Sequence, residues 1–575
     1  MTKTTTCLII TPLVLISLFF NLRGLYCGLP SAARTSLAVP SAETLKDITP
    51  LLKETRDRIY LEYAKTPGSY LEKGVKVEKE LVPVVINGLP ATVDVRKIHS
   101  IRSALLQSRF SDEQKMITSL TNINPAKLQF NPHFFQYGGV FVYSCGLSIK
   151  AAQWLGIVRV TPDITYYFTH PRDIAGLFAA PKAMSGILET LAIPLIFMLA
   201  RMLFGAPAGI TAAVLLAAIP SVSVEAHSLK PFILFFPLMI SALIFSKRIL
   251  DKGTARDYLL AGIFSGLSAG TMIFTGAVGL SALCAHFLSF RNNESFNERL
   301  TDVKLAYLIL GGLAAFFAAN PYWLIAFKEV RGDFAFLSRV APFDFSPGNI
   351  VYHLLVEFPK AFGLPVYLAG LCGMALALKE RKDEDKLLFC FFVPVYFCIV
   401  FTRWQFFHYS MPLVPVFLLF AGRFAAFFYG KIMSKGVSYA LLAAVSAYTL
   451  GYTLYYSDIF VNYDGFFQGA GRWINDNIPK GTSINAPDYP NLSSGYPPFS
   501  LMDYRVNDGG AADYIVSAEY PDTGTVPFAP PAGYSLMTAM SLDKGFLGKI
   551  YRRQALNFLD PVIKVYRSNE KNNAG

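Results

Sequence analysis

The sequence predicts an α-helical polytopic membrane protein with a long first extracytoplasmic loop and a small C-terminal α/β extracytoplasmic domain. Three observations predict this fold class. Between Lys3 and Ser457 most of the chain consists of apolar runs of helix length, a polar segment interrupts these runs near the start, and a polar tail follows them. Only 16% of the 575 residues are charged and 53% are hydrophobic, whereas soluble domains contain about 25% charged residues.

The apolar runs predict about 11–13 transmembrane helices, because one crossing needs about 20 apolar residues. The first run, Cys7–Phe20, lacks a small-x-small cleavage motif, so we expect an uncleaved first span rather than a signal peptide. Run 258–290 predicts two short helices. The later runs cover 135–158, 176–204, 207–225, 230–249, 258–290, 304–327, 360–378, 387–402, 409–429 and 435–456.

The formal net charge of +12 resides mainly in short loops between apolar runs. Basic loops mark the cytoplasmic side of a membrane protein, so this charge indicates orientation and argues against a nucleic-acid partner. The same rule conflicts with a simple crossing at 135–158, which is therefore either re-entrant or accompanied by a poorly marked span within 159–181. The loops predicted to be cytoplasmic are Lys247–Asp257, Arg291–Lys304 and Lys379–Lys386.

After the final span the tail lies outside the membrane. The chain is therefore predicted to consist of four parts. Within the first loop, Ala42–Tyr63 and Ile98–Leu120 are amphipathic and predict helices that lie in the membrane interface, or alternatively a small independent globule. In the tail, a short helix before Pro479, a strand from Ser483 and a strand at Tyr514–Ser517 predict an α/β domain. The parts are 1–26 (first transmembrane helix), 27–134 (first loop), 135–456 (multi-span domain) and 457–575 (C-terminal domain).

Several function classes are excluded by missing motifs. The chain has no Walker loop, G-x-G-x-x-G, H-E-x-x-H or G-x-S-x-G in a suitable setting, which argues against an ATP-driven pump and a membrane metalloprotease. Six of the seven cysteines lie in apolar runs and the tail has none, which excludes a disulfide scaffold and a cysteine zinc site. We expect no cofactor, although a divalent metal remains possible without a carboxylate cluster that demands one.

The candidate site residues lie in four polar clusters at the ends of apolar runs. Ionisable residues at membrane depth are costly and tend to be functional, and lysine and arginine form charge-assisted hydrogen bonds to phosphate. The clusters are Asn131–Gly139 with His133 and Tyr137, Glu225–Pro231 with His227 and Lys230, Asn320–Trp323, and Arg403–Tyr409 with His408.

Each cluster also has a structural interpretation. Lys230 and Arg403 are long enough to extend to lipid headgroups without binding a substrate. His133 and His408 are equally compatible with hydrogen-bonded packing, and Asn320 before Pro321 with the end of a helix. The concentration of cations with histidine and asparagine on one side favours a site for an anionic headgroup whose lipid tail lies in the bilayer.

At these residues the chain resembles the GT-C glycosyltransferases, in particular the bacterial branch related to protein O-mannosyltransferases and lipid A aminoarabinose transferases. The resemblance implies a GT-C-like fold and inverting transfer of a sugar from a polyprenyl-phosphate carrier on the extracytoplasmic face. The motifs that support it occur in family order: Arg23–Pro30, Asn131–Phe135, Ala200–Gly205, Ala217–Pro220, Gly262–Gly276, His408–Pro415, Trp473-Ile474 and Ile478–Gly481.

The resemblance also implies roles for individual residues. An acidic residue of the first outer loop would be the catalytic base, and relatives often have an Asp-Glu pair soon after Gly-Leu-Pro. The first carboxylates here are Glu43 and Asp47, so we expect Glu43, or otherwise Asp47, to be the base. Relatives also often have a lysine near Met272, which this chain lacks. We therefore expect donor phosphate and substrate contacts from Lys230, Arg403, His133, His408, His227, Asn320 and Tyr137.

The expected partners are a polyprenyl-phosphate sugar donor, an acceptor that is a lipid, glycan or protein, and the bilayer. The expected location is the bacterial inner membrane, with the site on the periplasmic face. Two alternatives remain open: a secondary transporter or lipid flippase, against which the halves show no internal hydropathy repeat, and a catalytically inactive GT-C-like assembly protein of the cell envelope.

Overall fold

The computed structural model describes residues 2–65, 77–289, 296–402, 406–431, 434–492, 495–507, 511–520, 528–551 and 559–569. Over these residues the chain is mainly helical, with two small β-sheets. The first segments are α1 (Lys3–Leu22), α2 (Ala32–Ala38), α3 (Ala42–Lys65), β1 (Leu81–Ile86), β2 (Leu89–Asp94), α4 (Val95–Leu106) and α5 (Ser111–Leu120).

The first loop region, residues 27–134, contains a β-hairpin that the sequence analysis missed. Strands β1 and β2 pair antiparallel, with Ile86 opposite Leu89. The turn residues Asn87 and Gly88 both have positive φ, +51° and +76°, as a two-residue hairpin turn of this type requires. The amphipathic helix predicted from Ala42 is confirmed as α3, which packs against α4 and β1.

The helix predicted over Ile98–Leu120 is instead two helices, α4 and α5. The hydroxyl of Ser108 accepts a hydrogen bond from the backbone N–H of Phe110 at 3.1 Å. The N–H of Arg109 donates to the carbonyl of Gly28 at 2.8 Å. Because these bonds use backbone groups that a continuous helix would pair internally, the chain turns before α5.

The middle of the chain is a bundle of apolar helices. These helices are α6 (Gly139–Trp154), α7 (Ile164–Thr169), α8 (Pro171–Glu189), α9 (Ala192–Phe204), α10 (Ala206–Ala218), α11 (Pro220–Ala226), α12 (Phe235–Asp251), α13 (Ala255–Thr271), α14 (Gly279–Ser289), α15 (Phe296–Leu300), α16 (Val303–Ala319), α17 (Tyr322–Ile325), α18 (Phe327–Val340), α19 (Pro347–Tyr352), α20 (Phe358–Phe362), α21 (Leu364–Glu380), α22 (Asp383–Val400), α23 (Val414–Lys431) and α24 (Lys435–Asn477). The 3₁₀ segments are Pro125–Lys127, Ile273–Val278, Phe407–Leu413 and Leu501–Asp503, and His353–Glu357 is a π-helical turn.

Five helical stretches among the described residues are long and apolar enough to cross a membrane, and the bent pair α10 and α11 would make a sixth. The chain is therefore an integral membrane protein, as predicted, but fewer helices reach spanning length than the 11–13 expected. The apolar runs of α12, α13 and α21 form helices of 17 residues each, about 26 Å long at 1.5 Å per residue, slightly short of the bilayer core. The five stretches are Thr4–Leu22, Pro171–Phe204, Phe296–Ala319, Phe407–Tyr429 and Gly436–Asn477.

Other boundaries of the bundle were partly predicted. The two short helices expected within 258–290 are confirmed as α13 and α14. The fully described stretch 159–181 contains only the six-residue α7 and the start of α8, so no separate spanning helix lies there.

Glycines allow the helices to meet closely at the entry of α6. A Cβ atom on Gly138 would lie 1.9 Å from the carbonyl oxygen of Gly270, and one on Gly266 would lie 2.1 Å from that of Gly312. Contacts of this kind between small residues bring helix backbones together in membrane proteins. They fix α6, α13 and α16 in one tight unit.

Helix α24 does not end at the predicted boundary near residue 456. It has 43 residues, about 65 Å at 1.5 Å per residue, roughly twice the thickness of the bilayer core. Its C-terminal half runs into the C-terminal domain, where Ile474 is fully buried. The last span and the C-terminal domain are thus joined by a continuous helix rather than by a loop.

The C-terminal domain contains the predicted α/β fold. Its five-stranded sheet has the order β4-β3-β5-β7-β6, with β3 parallel to β4 and β5, and β7 antiparallel to β5 and β6. The strands predicted from Ser483 and at Tyr514–Ser517 are confirmed as β3 and β5. The elements are β3 (Ser483–Asn485), β4 (Arg505–Val506), β5 (Tyr514–Glu519), β6 (Tyr534–Ser541), α25 (Gly545–Tyr551) and β7 (Val562–Ser568).

The first loop region packs directly on the C-terminal domain. Lys97 Nζ donates to the carbonyl of Tyr504 at 2.6 Å, and the Ser100 hydroxyl donates to that of Pro490 at 2.6 Å. These bonds fix α4 against the domain, and α5 follows α4 toward the ends of the membrane helices.

Candidate active site

Two ion pairs connect the first turn of α5 to the membrane helices. The deeper one joins Glu113 Oε1 to Lys182 Nζ of α8 at 2.8 Å, and both side chains are completely buried. The same carboxylate oxygen accepts a hydrogen bond from the N–H of Leu229 at 3.1 Å. Glu113 therefore fixes α5 to α8 and to the segment after α11.

The second pair is accessible. Lys230 Nζ lies 3.2 Å from Asp112 Oδ2, with 46% of the Asp112 side chain and 16% of the Lys230 side chain exposed. Acidic residues in the first turn also stabilise the positive N-terminal end of α5, so the sequence has a local structural reason to place carboxylates there. The exposed face of Asp112 is free to meet a ligand.

Each charge of this pair favours the ionised form of the other residue. Burial alone would raise the pKa of Asp112, but the ammonium groups of Lys230 and Lys115 hold the pKa of this carboxyl below its ordinary value. Burial alone would lower the pKa of Lys230, but the carboxylates of Asp112 and Glu225 hold it above its ordinary value. Both groups are therefore ionised at neutral pH.

Aromatic and polar side chains surround the Asp112–Lys230 pair. The ring of His408 packs 4.7 Å from Phe232 and 4.6 Å from Tyr409, measured between ring centroids. Lys230 acts electrostatically on His408 and Tyr409. Tyr137 is buried and is within electrostatic range of Asp112 and Tyr409. Lys230 thus pairs with Asp112, and two further predicted site residues, Tyr137 and His408, lie near this pair.

The two carboxylates predicted as the base lie elsewhere in the first loop region. Glu43 is exposed in the first turn of α3. The Asp47 carboxylate accepts a hydrogen bond from the N–H of Asn87 at 2.8 Å and so fixes the hairpin turn to α3. Helix α3 packs on α4, α7 and β1, whereas Asp112 lies on α5, which packs on α6 and α8. The structure does not bring Glu43 or Asp47 together with Lys230.

His227 and Asn320 form structural contacts. The ring nitrogens of His227 lie 2.7 and 2.8 Å from the carbonyl oxygens of Ser223 and Arg23, which joins α11 to the end of α1. Asn320 Oδ1 accepts from the N–H of Gly139 at 2.6 Å, and its amide donates to the carbonyl of Phe316 at 2.9 Å. Both side chains are almost fully buried.

His133 lies at the edge of the site. Its Nδ1 is 2.7 Å from Glu329 Oε2 of α18, and about half of each side chain is exposed. Phe135 donates its N–H to the buried Asp333 at 2.8 Å, so α18 is attached to the segment that enters α6. Arg403, predicted to bind phosphate, lies outside the described residues.

The sequence analysis missed Asp112, Glu113 and Lys182. An Asp-Glu pair was expected in the first outer loop, but it was sought soon after Gly-Leu-Pro, whereas this pair occurs at positions 112 and 113. The signal in the sequence was the pair of adjacent carboxylates within the amphipathic segment Ile98–Leu120. Lys182, within an apolar run, gave a second signal, because a lysine at that depth needs an anionic partner.

Within the described ranges, no group of three or more histidine, cysteine, aspartate or glutamate side chains is arranged to hold a metal ion. The expectation that no cofactor is needed stays a prediction.

Fold and site together define an integral membrane protein with an ionised, accessible site where its first loop meets the ends of its helices. Residues 181–323 match the family model of dolichyl-phosphate-mannose-protein mannosyltransferases. The match covers about a quarter of the chain and includes Lys182 and Lys230. Over these residues it confirms the resemblance to the GT-C glycosyltransferases. No individual curated protein sequence matches the chain.

Solved structures give weak similarities. ArnT from Cupriavidus metallidurans bound to undecaprenyl phosphate is 11% identical, over 98% of this chain and 98% of that chain, with a TM-score of 0.43. The Archaeoglobus fulgidus oligosaccharyltransferase in complex with zinc and sulfate is 12% identical, over 71% of this chain and 63% of that one, with a TM-score of 0.39. This chain thus spans less than two thirds of the archaeal protein. These similarities are too low to transfer individual residues.

Proposed function

We propose that this protein is a membrane glycosyltransferase that moves a sugar from a polyprenyl-phosphate donor to an acceptor hydroxyl, with Asp112 as general base and Lys230 as the contact to the donor phosphate. The observation that supports this assignment is the accessible Asp112–Lys230 pair, fixed at the membrane by a buried second pair. The match of residues 181–323 to lipid-phosphate-dependent mannosyltransferases adds support.

Lys230 is suited to bind a lipid phosphate. It lies between α11 and α12, where a phosphate headgroup can reach it while the lipid tail stays beside the apolar helices. An ammonium group forms strong charge-assisted hydrogen bonds to phosphate. When Lys230 contacts the phosphate, its bond to Asp112 weakens, and the carboxylate becomes more basic next to the bound donor.

The transfer step is a single displacement. The acceptor oxygen attacks the anomeric carbon while its proton passes to a carboxylate oxygen of Asp112. The bond between the anomeric carbon and the phosphate oxygen breaks, and polyprenyl phosphate leaves with the electron pair. Lys230 offsets the negative charge that develops on the leaving phosphate. Attack opposite to the leaving group inverts the anomeric configuration.

Asp112 is preferred over the other carboxylates because it is both accessible and next to a cation. Glu113 is fully buried and fixed by Lys182, so it positions α5 rather than reaching a substrate. Asp47 already accepts a backbone hydrogen bond, and Glu43 lies on α3. Tyr137, His408 and Tyr409, which lie near the pair, are the candidates for orienting the donor sugar or the acceptor.

The remaining features of the proposal follow the resemblance. The acceptor is a lipid, glycan or protein, the membrane is the bacterial inner membrane, and the site faces the periplasm. His133 stays a candidate for orienting the substrates from the edge of the site. Arg403 stays a candidate for contacting the donor phosphate.

The test is sugar release from a labelled polyprenyl-phosphate hexose by the detergent-purified protein, together with donor binding. We expect turnover by the wild type and a 10²–10⁴-fold lower kcat for Asp112→Asn, the usual contribution of a general base, with donor binding retained. Glu43→Gln and Asp47→Asn serve as matched controls and should keep most of the activity.

Wild-type turnover that survives in Asp112→Asn but not in Glu43→Gln or Asp47→Asn would move the base to α3. If the wild type neither binds nor turns over polyprenyl-phosphate sugars, the transferase proposal is wrong. Substrate-driven uptake into proteoliposomes would then identify a transporter.

A further inference from the structure

A small cavity lies where the first loop region meets the C-terminal domain, apart from the Asp112–Lys230 pair. Its volume is about 20 Å³, enough for roughly one water-sized particle or small ion. The lining comes from α2, α4, the connection between α4 and α5, and the segment that precedes β4. It includes Arg34, Ser100, Arg109, Tyr496 and Pro498.

Arg34 is the first of two buried cations in this lining. Only 3% of the residue is exposed. One terminal nitrogen donates to the carbonyl of Gln107 at 3.0 Å, but the buried Nε has no hydrogen-bond partner among the described residues. Burial, and then the neighbouring Arg109 cation, lower the pKa of Arg34 to about 9, so the surroundings disfavour its charge.

Arg109 is the second buried cation in the lining. It is 4% exposed, one terminal nitrogen donates to the carbonyl of Tyr496 at 2.7 Å, and its guanidinium lies 3.8 Å from the ring centre of Phe467. Its Nε is likewise buried without a partner in the described parts of the chain.

The negative charge nearby does not balance these two cations. Asp464 acts on both arginines electrostatically, but within the described residues no carboxylate lies within 4.0 Å of either guanidinium. Asp464 instead accepts a hydrogen bond from the N–H of Gly28 at 3.0 Å. Buried charges are normally paired, because leaving one unpaired is costly.

We propose that the cavity binds one small inorganic anion of the halide class, held by the Nε groups of Arg34 and Arg109. The volume suits a chloride-sized ion and is too small for a tetrahedral phosphate with its four oxygens. Such an ion balances the second buried cation and provides an acceptor for both unpartnered donors. Neither the proposed base nor the donor contact takes part in this site.

Because of the position of the cavity, an anion there would contact several separate parts of the chain. Arg109 stands three residues before Asp112, and its backbone N–H bonds Gly28. Its guanidinium also contacts the C-terminal domain through Tyr496. An anion at this point therefore connects three parts of the chain: α2, the approach to α5, and the C-terminal domain.

The first test measures the thermal unfolding of the full-length protein in detergent, with sodium chloride replaced by sodium gluconate at constant ionic strength. We expect chloride to raise Tm by about 2–4 °C in a saturable way, as a ligand specific to the folded state does. Arg34→Gln should abolish the chloride dependence. Arg96→Gln is the matched control, because Arg96 lies on the adjacent helix α4 and is already paired with Asp94 at 2.6 Å.

A second readout covers the case in which Arg34→Gln does not fold. Crystals of the wild type grown with sodium bromide should show an anomalous bromine peak within about 4 Å of both Nε atoms, a typical contact distance for a charged pair. Equal Tm values in chloride and gluconate for the wild type, or a cavity without a bromine peak, would overturn the proposal. Neither readout depends on glycosyl transfer.

Discussion

Asp112 and Glu113 are neighbours in the first turn of α5, yet their carboxylates have different surroundings. Glu113 is completely buried and bound by Lys182 and the N–H of Leu229. Asp112 is about half exposed and bound by Lys230, whose side chain is 16% exposed. The first pair is closed to solvent, whereas the second is accessible.

Under the proposed function, this difference separates stability from chemistry within one helical turn. A buried ion pair holds its partners at a fixed distance but offers no group to a ligand, and it becomes costly when one partner is removed. An exposed pair contributes little to stability, because water screens it, and its charges can be redirected to a substrate. We therefore expect substitutions at the buried pair to lower mainly stability, and substitutions at the accessible pair to lower mainly activity or donor binding.

The largest effect on folding should follow from breaking the buried pair. Glu113→Gln leaves Lys182 charged and unpaired at zero exposure, which typically costs about 3–5 kcal/mol. Thermal or denaturant unfolding in detergent measures this loss. The double variant Glu113→Gln with Lys182→Met should recover much of it, and equal destabilisation in single and double variants would contradict a paired role.

Acid should weaken the packing of the first loop region through His99. Burial, and then the Arg102 cation, lower the pKa of His99 to about 4, against about 6.5 in an unfolded chain. The folded state thus binds fewer protons, so its stability is complete above pH 6.5 and falls by up to about 3 kcal/mol as the pH drops to 4.

Lys230 and Lys115 hold the pKa of Asp112 below its ordinary value, so the loss of stability over this range is assigned to His99 rather than to Asp112. Unfolding profiles between pH 7 and 4 for the wild type and His99→Gln test this expectation. The variant should lose part of the acid sensitivity, and identical profiles would show that His99 is not responsible.

A smaller effect is expected from Lys230→Met at the exposed pair. The loss of one charge-assisted hydrogen bond, worth about 1.5–3 kcal/mol, should weaken donor binding about tenfold to a hundredfold and change Tm little. Donor titration of the purified protein measures it, with Lys230→Arg as the charge-preserving control. Unchanged donor affinity in Lys230→Met would separate Lys230 from the phosphate.

The smallest effect should come from His133→Ala at the edge of the site. Its contact with Glu329 is about half exposed, and pairs of this kind contribute about 0–1 kcal/mol. Thermal unfolding should therefore change little. A loss above 2 kcal/mol would show that α18 depends on this contact far more than its exposure indicates.

Most of the fold could be predicted from local patterns. The apolar runs, the basic loops and the helix of α3 follow from composition and periodicity, as do strands β3 and β5. The β-hairpin was also predictable, since Asn87-Gly88 is a typical two-residue hairpin turn and follows the apolar, β-branched-rich run Leu81–Ile86.

The division of Ile98–Leu120 into two helices could not be predicted in the same way. Apolar residues recur at helical spacing on both sides of the break, and a hydrogen bond to the distant Gly28 stabilises the turn. The two ion pairs are also contacts between residues far apart in sequence. The sequence made Lys230 a candidate for binding an anionic group, but only the fold showed which carboxylate lies next to it.

The most direct test of this account is to measure kcat with a labelled polyprenyl-phosphate hexose, and Tm, side by side for Asp112→Asn and Glu113→Gln. We predict that Asp112→Asn keeps a Tm near that of the wild type and loses at least about 100-fold in kcat, as for a general base. Glu113→Gln should instead lower Tm, because it leaves Lys182 buried without its ionic partner. Wild-type kcat in Asp112→Asn, with normal stability in Glu113→Gln, would contradict the separation of the two carboxylates.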